Sequence, residues 1–219
     1  MANSTTPFTQ TEYDRRIALT RTAMQAAGLD AIFVTDPSNQ AWLTGYDGWS
    51  FYVHQGVIVT SDGEPIWWGR HMDMMGGMRT CWMDHANILG YGDHYVQAVD
   101  IHPMQDLANV LKARGCERAR IGVEMENYYY SAKAHMTLIE ELPAATIEDA
   151  TGIVNWQRSI KSEEELIFMR RAAKISDKII DGLVERVEVG VPKNEIVAEI
   201  LRDAALGADG HWGDYPAIV

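Results

Sequence analysis

The chain has 219 residues, 47% hydrophobic and 23% charged, an ordinary globular balance with no mark of disorder or of collagen. Asp and Glu number 31 against 19 Lys and Arg, a formal charge of −12, which argues against sequence-independent binding to nucleic acid or to anionic lipid. The first ten residues lack a charged-then-apolar leader and no 18 apolar residues run together, so the sequence predicts neither signal-peptide secretion nor a membrane span.

In chain order, Thr11 is placed to cap a helix from about 12 to 27, with Tyr13, Ile17, Met24 and Ala27 on one face and Gly28 to end it. Ala31-Ile-Phe-Val34 reads as a buried strand, and Asp36-Pro37 as the start of a helix, since Asp caps free N–H groups and Pro suits a first turn. Two strands, 56–59 and 65–68, flank Ser61-Asp62-Gly63-Glu64, a turn that closes an antiparallel hairpin. Next come a helix near 103–114, a strand at 120–124, a helix at 131–142 and a strand at 146–148. Such alternation predicts an α/β layer domain over 1–155.

A boundary follows. Ser162 and Glu165 have capping-box spacing and open a long helix to about Val187, with Leu166, Met169, Ala173, Ile180, Leu183 and Val187 at three- and four-residue steps. Gly190-Val191-Pro192 separates it from a second helix at about 193–206 that buries Ile196, Val197, Ile200 and Leu201. Asp214-Tyr215 onward reads as the entrance to a strand. Residues 160–219 thus supply two amphipathic helices without a sheet to cover them, which predicts a second domain that continues past Val219.

The chemistry-bearing residues are scattered. Tyr46-Asp-Gly-Trp-Ser-Phe-Tyr52, followed by His54, concentrates aromatics in a segment too polar and Gly-broken for a helix. Its rings either line a pocket, by stacking and cation–π contact, or fold onto the sheet. Arg70 either clamps a carboxylate or pairs with one of the many Asp. His71 with Asp73, and Asp84 with His85, lack the helical spacing of metal ligands, so the sequence assigns no metal site. Asp93-His94-Tyr95 reads as a polar loop or as a device that orients a catalytic group. Glu124 and Glu126, at strand spacing, point to one face as paired carboxylates or as a solvated surface. Cys81 and Cys116 predict free thiols in a reducing cytoplasm rather than a bridge.

Taken together, an α/β domain of this length, then Lys161-Ser-Glu-Glu-Glu-Leu-Ile-Phe-Met-Arg-Arg-Ala-Ala173, then Gly190-Val-Pro, resembles the creatinase/aminopeptidase P (pita-bread) superfamily. Trp67-Trp-Gly-Arg-His-Met-Asp73, Gly90-Tyr-Gly-Asp-His-Tyr-Val-Gln97, Val123-Glu-Met-Glu-Asn-Tyr-Tyr129 and Gly213-Asp-Tyr-Pro-Ala-Ile-Val219 resemble the members that hydrolyse ectoine. The resemblance implies a creatinase-type N-terminal domain, a mixed sheet with flanking helices, followed by the opening helices of an α+β pita-bread domain. It implies a cytoplasmic homodimeric hydrolase that opens a cyclic amidine with a divalent metal, whose ligands and catalytic residues lie downstream of Val219. The 219 residues alone are then expected to be inactive. Substrate contact is expected from Trp49, Phe51 and Tyr52, with Arg70 for the carboxylate of ectoine or a similar small amidine. An Xaa-Pro peptidase, a creatinase-like amidinohydrolase and a non-catalytic dimerisation module are the alternatives.

Overall fold

The computed structural model describes residues 6–213 and divides into two compact units, Met1–Ile160 and Lys161–Val219. Asp214, Tyr215 and the expected strand beyond them lie outside the described residues.

Unit 1 begins with α1 (Gln10–Ala27). Thr9, not Thr11, is its cap: the Thr9 hydroxyl accepts the Glu12 N–H at 3.3 Å, so the helix starts one half-turn earlier than expected. Gly28 ends it in the left-handed conformation at φ 70°, a geometry that favours glycine. Tyr13, Ile17 and Met24 are buried as expected, whereas Ala27, in the last turn, is exposed.

Six strands follow: β1 (Ala31–Val34), β2 (Gly56–Thr60), β3 (Ile66–Arg70), β4 (Ile88–Tyr91), β5 (Arg120–Val123) and β6 (Thr146–Asp149). They form one mixed sheet in the order β4-β3-β2-β1-β5-β6. The β2–β3 hairpin is antiparallel, and β2 pairs antiparallel with β1 in the register Ala31↔Thr60. On the other side β1 runs parallel to β5 (Ala31↔Ile121), and β5 parallel to β6.

Helices cover both faces, which is why the strands read as unbroken apolar runs rather than as alternation. Ala31, Phe33, Ile58, Ile66, Trp68 and Val123 face one core, closed by α4 (Pro103–Ala113) and α5 (Ala132–Glu141) through Leu107, Leu111, Ala134 and Leu138. Ile32, Val34, Val57, Val59 and Trp67 face the other core. There Ile17 and Met24 of α1, Trp42 and Leu43 of α2 (Pro37–Thr44) and Val154 of α6 (Ile153–Ser159) pack. Asp36 caps α2 by accepting the Asn39 N–H at 2.9 Å, as its position before Pro37 predicts.

Two elements depart from the sequence reading. His71–Thr80 forms a helix, α3, despite Gly76 and Gly77, because Met74 and Met78 pack on the sheet and Gly77 lets its backbone approach Trp67 and Ile88. Residues 88–91, for which the sequence reading has no strand, form β4, paired parallel with β3.

In unit 2, the expected capping box opens α7 (Glu163–Arg186). The Ser162 hydroxyl accepts the Glu165 N–H at 3.2 Å, and the Glu165 carboxylate accepts the Ser162 N–H at 2.7 Å. α7 packs on α8 (Lys193–Leu206). Arg186 reaches the buried Asp203 at 2.9 Å, and Lys178 donates to the Gly207 carbonyl at 2.7 Å. Of the expected buried residues of α8, Ile200 is buried, and Ile196, Val197 and Leu201 are half-buried.

Candidate functional site

Between α2 and β2 the chain forms a compact loop, residues 45–55, of the Ω type, with its ends held together. Tyr46, at one end, is buried and lies on Trp67 at a ring separation of 4.8 Å, and its hydroxyl donates to Gln55 Oε1, at the other end, at 3.3 Å. The Asp47 N–H donates to Thr80 Oγ1, and the Val53 N–H to Ser50 Oγ, each at 3.2 Å. With the root so fixed, the polar and Gly-rich tip projects Trp49, Phe51 and Tyr52 outward, at 54%, 76% and 53% exposure. The rings contact one another edge to face or tilted: Trp49 to Phe51 at 6.0 Å and Phe51 to Tyr52 at 5.5 Å. Trp49 also meets Tyr129, after β5, at 6.5 Å. Of the two sequence readings of these rings, folding onto the sheet holds only for Tyr46.

Arg70, at the end of β3, donates from Nε to Asp93 Oδ1 at 2.8 Å, so the ion-pair reading describes its main contact. That hydrogen bond holds the Asp93 carboxyl below its ordinary range. Asp73 moves the other way, raised first by burial, with Arg70 opposing. Among the described residues Arg70 makes no hydrogen bond and no cation–π contact with Trp49, Phe51 or Tyr52. Among the described residues the terminal nitrogens of Arg70 carry no hydrogen bond.

Sequence reasoning missed what anchors the loop at its far end. The Tyr91 hydroxyl donates to the His54 carbonyl at 2.8 Å, and the His54 ring lies 4.9 Å from that of His102. His102 is the cap of α4, its Nδ1 accepting the Met104 N–H at 3.2 Å while Gln105 Oε1 accepts the His102 N–H. Burial lowers the His54 imidazole, opposed by its hydrogen bond to the Tyr129 backbone. Burial first, then His54 and Lys133, lowers His102 to about 4. No local pattern joins His54 to His102. The tyrosine run 128–130 is the nearest available signal.

The remaining candidates have structural partners. Asp84 Oδ1 caps a short 3-10 turn by accepting the Ala86 N–H at 2.8 Å, and Asp93-His94-Tyr95 forms another such turn. Glu124 and Glu126 do not sit at strand spacing, because β5 ends at Val123 and the chain turns, yet both border one cavity. Glu124 is buried, and its carboxylate accepts the Thr35 and Asp36 N–H groups, each at 2.7 Å, and the Asn39 amide at 2.5 Å. Burial lifts the Glu124 carboxyl above its ordinary range, with these donors opposing. Asn39 carries the network on to Asn155 at 2.9 Å and to Arg158 at 2.6 Å. Glu126 is exposed. Among the described residues no three His, Cys, Asp or Glu side chains converge on a point that would hold a metal ion, and no helix is long and apolar enough to cross a membrane. Cys81 and Cys116 are both buried and free.

Residues 16–160 match the creatinase/prolidase N-terminal domain family. Over 97% of its length the chain is 50% identical to an ectoine hydrolase of Halomonas elongata, of which it covers 55%. It is 36% identical over 94% of its length to an uncharacterised hydrolase/peptidase of Sinorhizobium fredii, covering 53% of that protein. A recombinant prolidase from Thermococcus sibiricus superposes with a TM-score of 0.70 at 17% identity, over 90% of this chain and 51% of the other. The chain thus spans about half the length of the curated relatives it matches.

Proposed function

Since the chain belongs to the creatinase/prolidase N-terminal domain family, we propose that it forms the N-terminal half of a C–N hydrolase that opens ectoine. The observation that carries this reading is the 50% identity to an ectoine hydrolase over 97% of the chain. The prolidase likeness, at 17% identity, speaks for the fold alone.

Opening the cyclic amidine adds water to the amidine carbon and breaks one C–N bond, giving an acetylated 2,4-diaminobutyrate. The work assigned to residues 6–213 is binding and orientation rather than bond cleavage. Trp49, Phe51 and Tyr52 offer apolar, electron-rich walls to a small ring bearing a delocalised cation. Arg70 offers its terminal nitrogens to the substrate carboxylate while Nε stays on Asp93. The donor sets described here do not fit the divalent metal that the family implies, and its ligands are assigned outside residues 6–213. The protein is read as a cytoplasmic homodimer in which this exposed loop reaches the reaction centre of the partner subunit.

The test is to express the complete reading frame containing this chain, incubate the protein with ectoine and follow the product by proton NMR. Conversion to the acetylated diaminobutyrate is expected. Inertness toward ectoine, with turnover of an Xaa-Pro dipeptide or creatine instead, would overturn the substrate.

A further inference from the structure

A cavity of about 410 Å³ opens at the carboxyl edge of the sheet in unit 1, beside the aromatic loop, whose Trp49 meets Tyr129 of the cavity wall at 6.5 Å. Its position follows from the topology. β1 and β5 are parallel neighbours, but α2, which follows β1, packs on one face while α5, which follows β5, packs on the other. The two chains therefore part beyond the strand ends and leave a crevice between them, the place where α/β sheets bind small ligands. Thr151, beyond the end of β6, borders the same space.

The lining decides the chemistry. Three carboxylates, Asp36, Glu124 and Glu126, meet three aromatic rings, Tyr128, Tyr129 and Trp156. Glu124 is saturated with donors and acts as a fixed charge in the floor. Asp36 uses Oδ1 to cap α2, and its Oδ2 has no hydrogen bond among the described residues. Arg158, 3.9 Å from Asp36, is the cation nearest to it and is committed to Asn39. Tyr128 and Trp156 are exposed at 104% and 77%, and among the described residues neither ring makes an aromatic or cation–π contact. Carboxylates beside open aromatic faces attract a flat cation twice, through charge and through the ring quadrupole.

We propose that this crevice is a binding site for a compact organic monocation with delocalised charge, an amidinium or guanidinium head on a small apolar body. The volume lies in the range of small-molecule sites. The assignment does not rest on ectoine as substrate, because binding is read without turnover.

The experiment is a titration of the 219-residue chain with benzamidinium chloride, followed by two-dimensional amide NMR, with neutral benzamide as the isosteric control. Saturable shifts are expected in the Trp156 indole and in the amides of 126–129 and 151, with half-saturation on the order of 1 mM. Benzamide should bind at least tenfold more weakly, and 0.5 M salt should weaken benzamidinium several-fold. Glu126→Gln and Trp156→Ala, both at exposed positions, should each weaken it about three- to fivefold with unchanged circular dichroism. Equal shifts with benzamide would overturn the cation assignment. No saturation at these positions, or undiminished binding in both variants, would overturn the site.

Discussion

The two units obey the same local rules, yet they use them against different backgrounds. In unit 1 all four residues of β1 are buried, because helices cover both faces of the sheet. In unit 2, α7 is just as regularly patterned and better capped, yet Ile180 and Val184 are 56% and 72% exposed. Capping and periodicity shape a helix, then, while burial depends on a covering layer, and most of the stabilising free energy comes from that layer.

The comparison is broken most directly by deleting a ring from the core of unit 1. Trp68 is fully buried, edge-on to Phe33 at 5.9 Å, and its indole N–H donates to Asp106 at 2.7 Å. Trp68→Ala should cost about 3–5 kcal/mol in denaturant unfolding, whereas Ile180→Ala should stay within about 0.5 kcal/mol. Comparable losses at both positions would mean that the α7 face is covered in solution.

A polar core position should follow closely. Glu124→Ala strands the Thr35 and Asp36 N–H groups and the Asn39 amide, for a loss of about 3 kcal/mol by the same measurement. A change below about 1 kcal/mol would mean that water replaces the carboxylate freely.

Acid should act on unit 1 through the paired imidazoles. Both sit below the ordinary value of 6.5 when folded, so the unfolded chain takes up protons that the folded chain refuses. Their contribution is fully present above pH 6.5 and is lost as the pH falls toward about 4, where His102 is protonated. A thermal melting series across that window should show the decline, and His102→Asn, which keeps a cap on α4, should flatten it.

The smallest effect on stability is expected at the loop tip. Trp49→Ala and Tyr52→Ala should leave unfolding within about 0.5 kcal/mol, since both side chains are more than half exposed, while raising KM for ectoine in the complete enzyme. Unchanged kinetics in both variants would remove the loop from substrate contact.

What could be read in advance follows the range of the interaction. Asp36 before Pro37, the turn at 61–64 and the Ser162/Glu165 box are contacts within a few residues, and each formed as its chemistry requires. α3 was hidden because its two glycines and uncapped Arg70 argue locally against a helix, and only packing on β3 and β4 reverses that. The aromatic loop was visible as composition, but its outside anchors were not, since Tyr91 and His102 come from β4 and the cap of α4, far along the chain. Glu124 was misplaced for a related reason: nothing around it indicates that β5 stops one residue earlier.

The hydrogen bond between Tyr46 and Gln55 also bears on how this protein can change. With the bonds of Asp47 to Thr80 and of His54 to Tyr91 it ties off residues 48–53, so the span between the anchors can vary while the strands keep their register. Lengthening a tied-off loop costs only about 0.6 kcal/mol per doubling of its length. The tip can thus be rewritten by insertion or replacement, leaving Tyr46, Gln55 and the fold beneath them untouched.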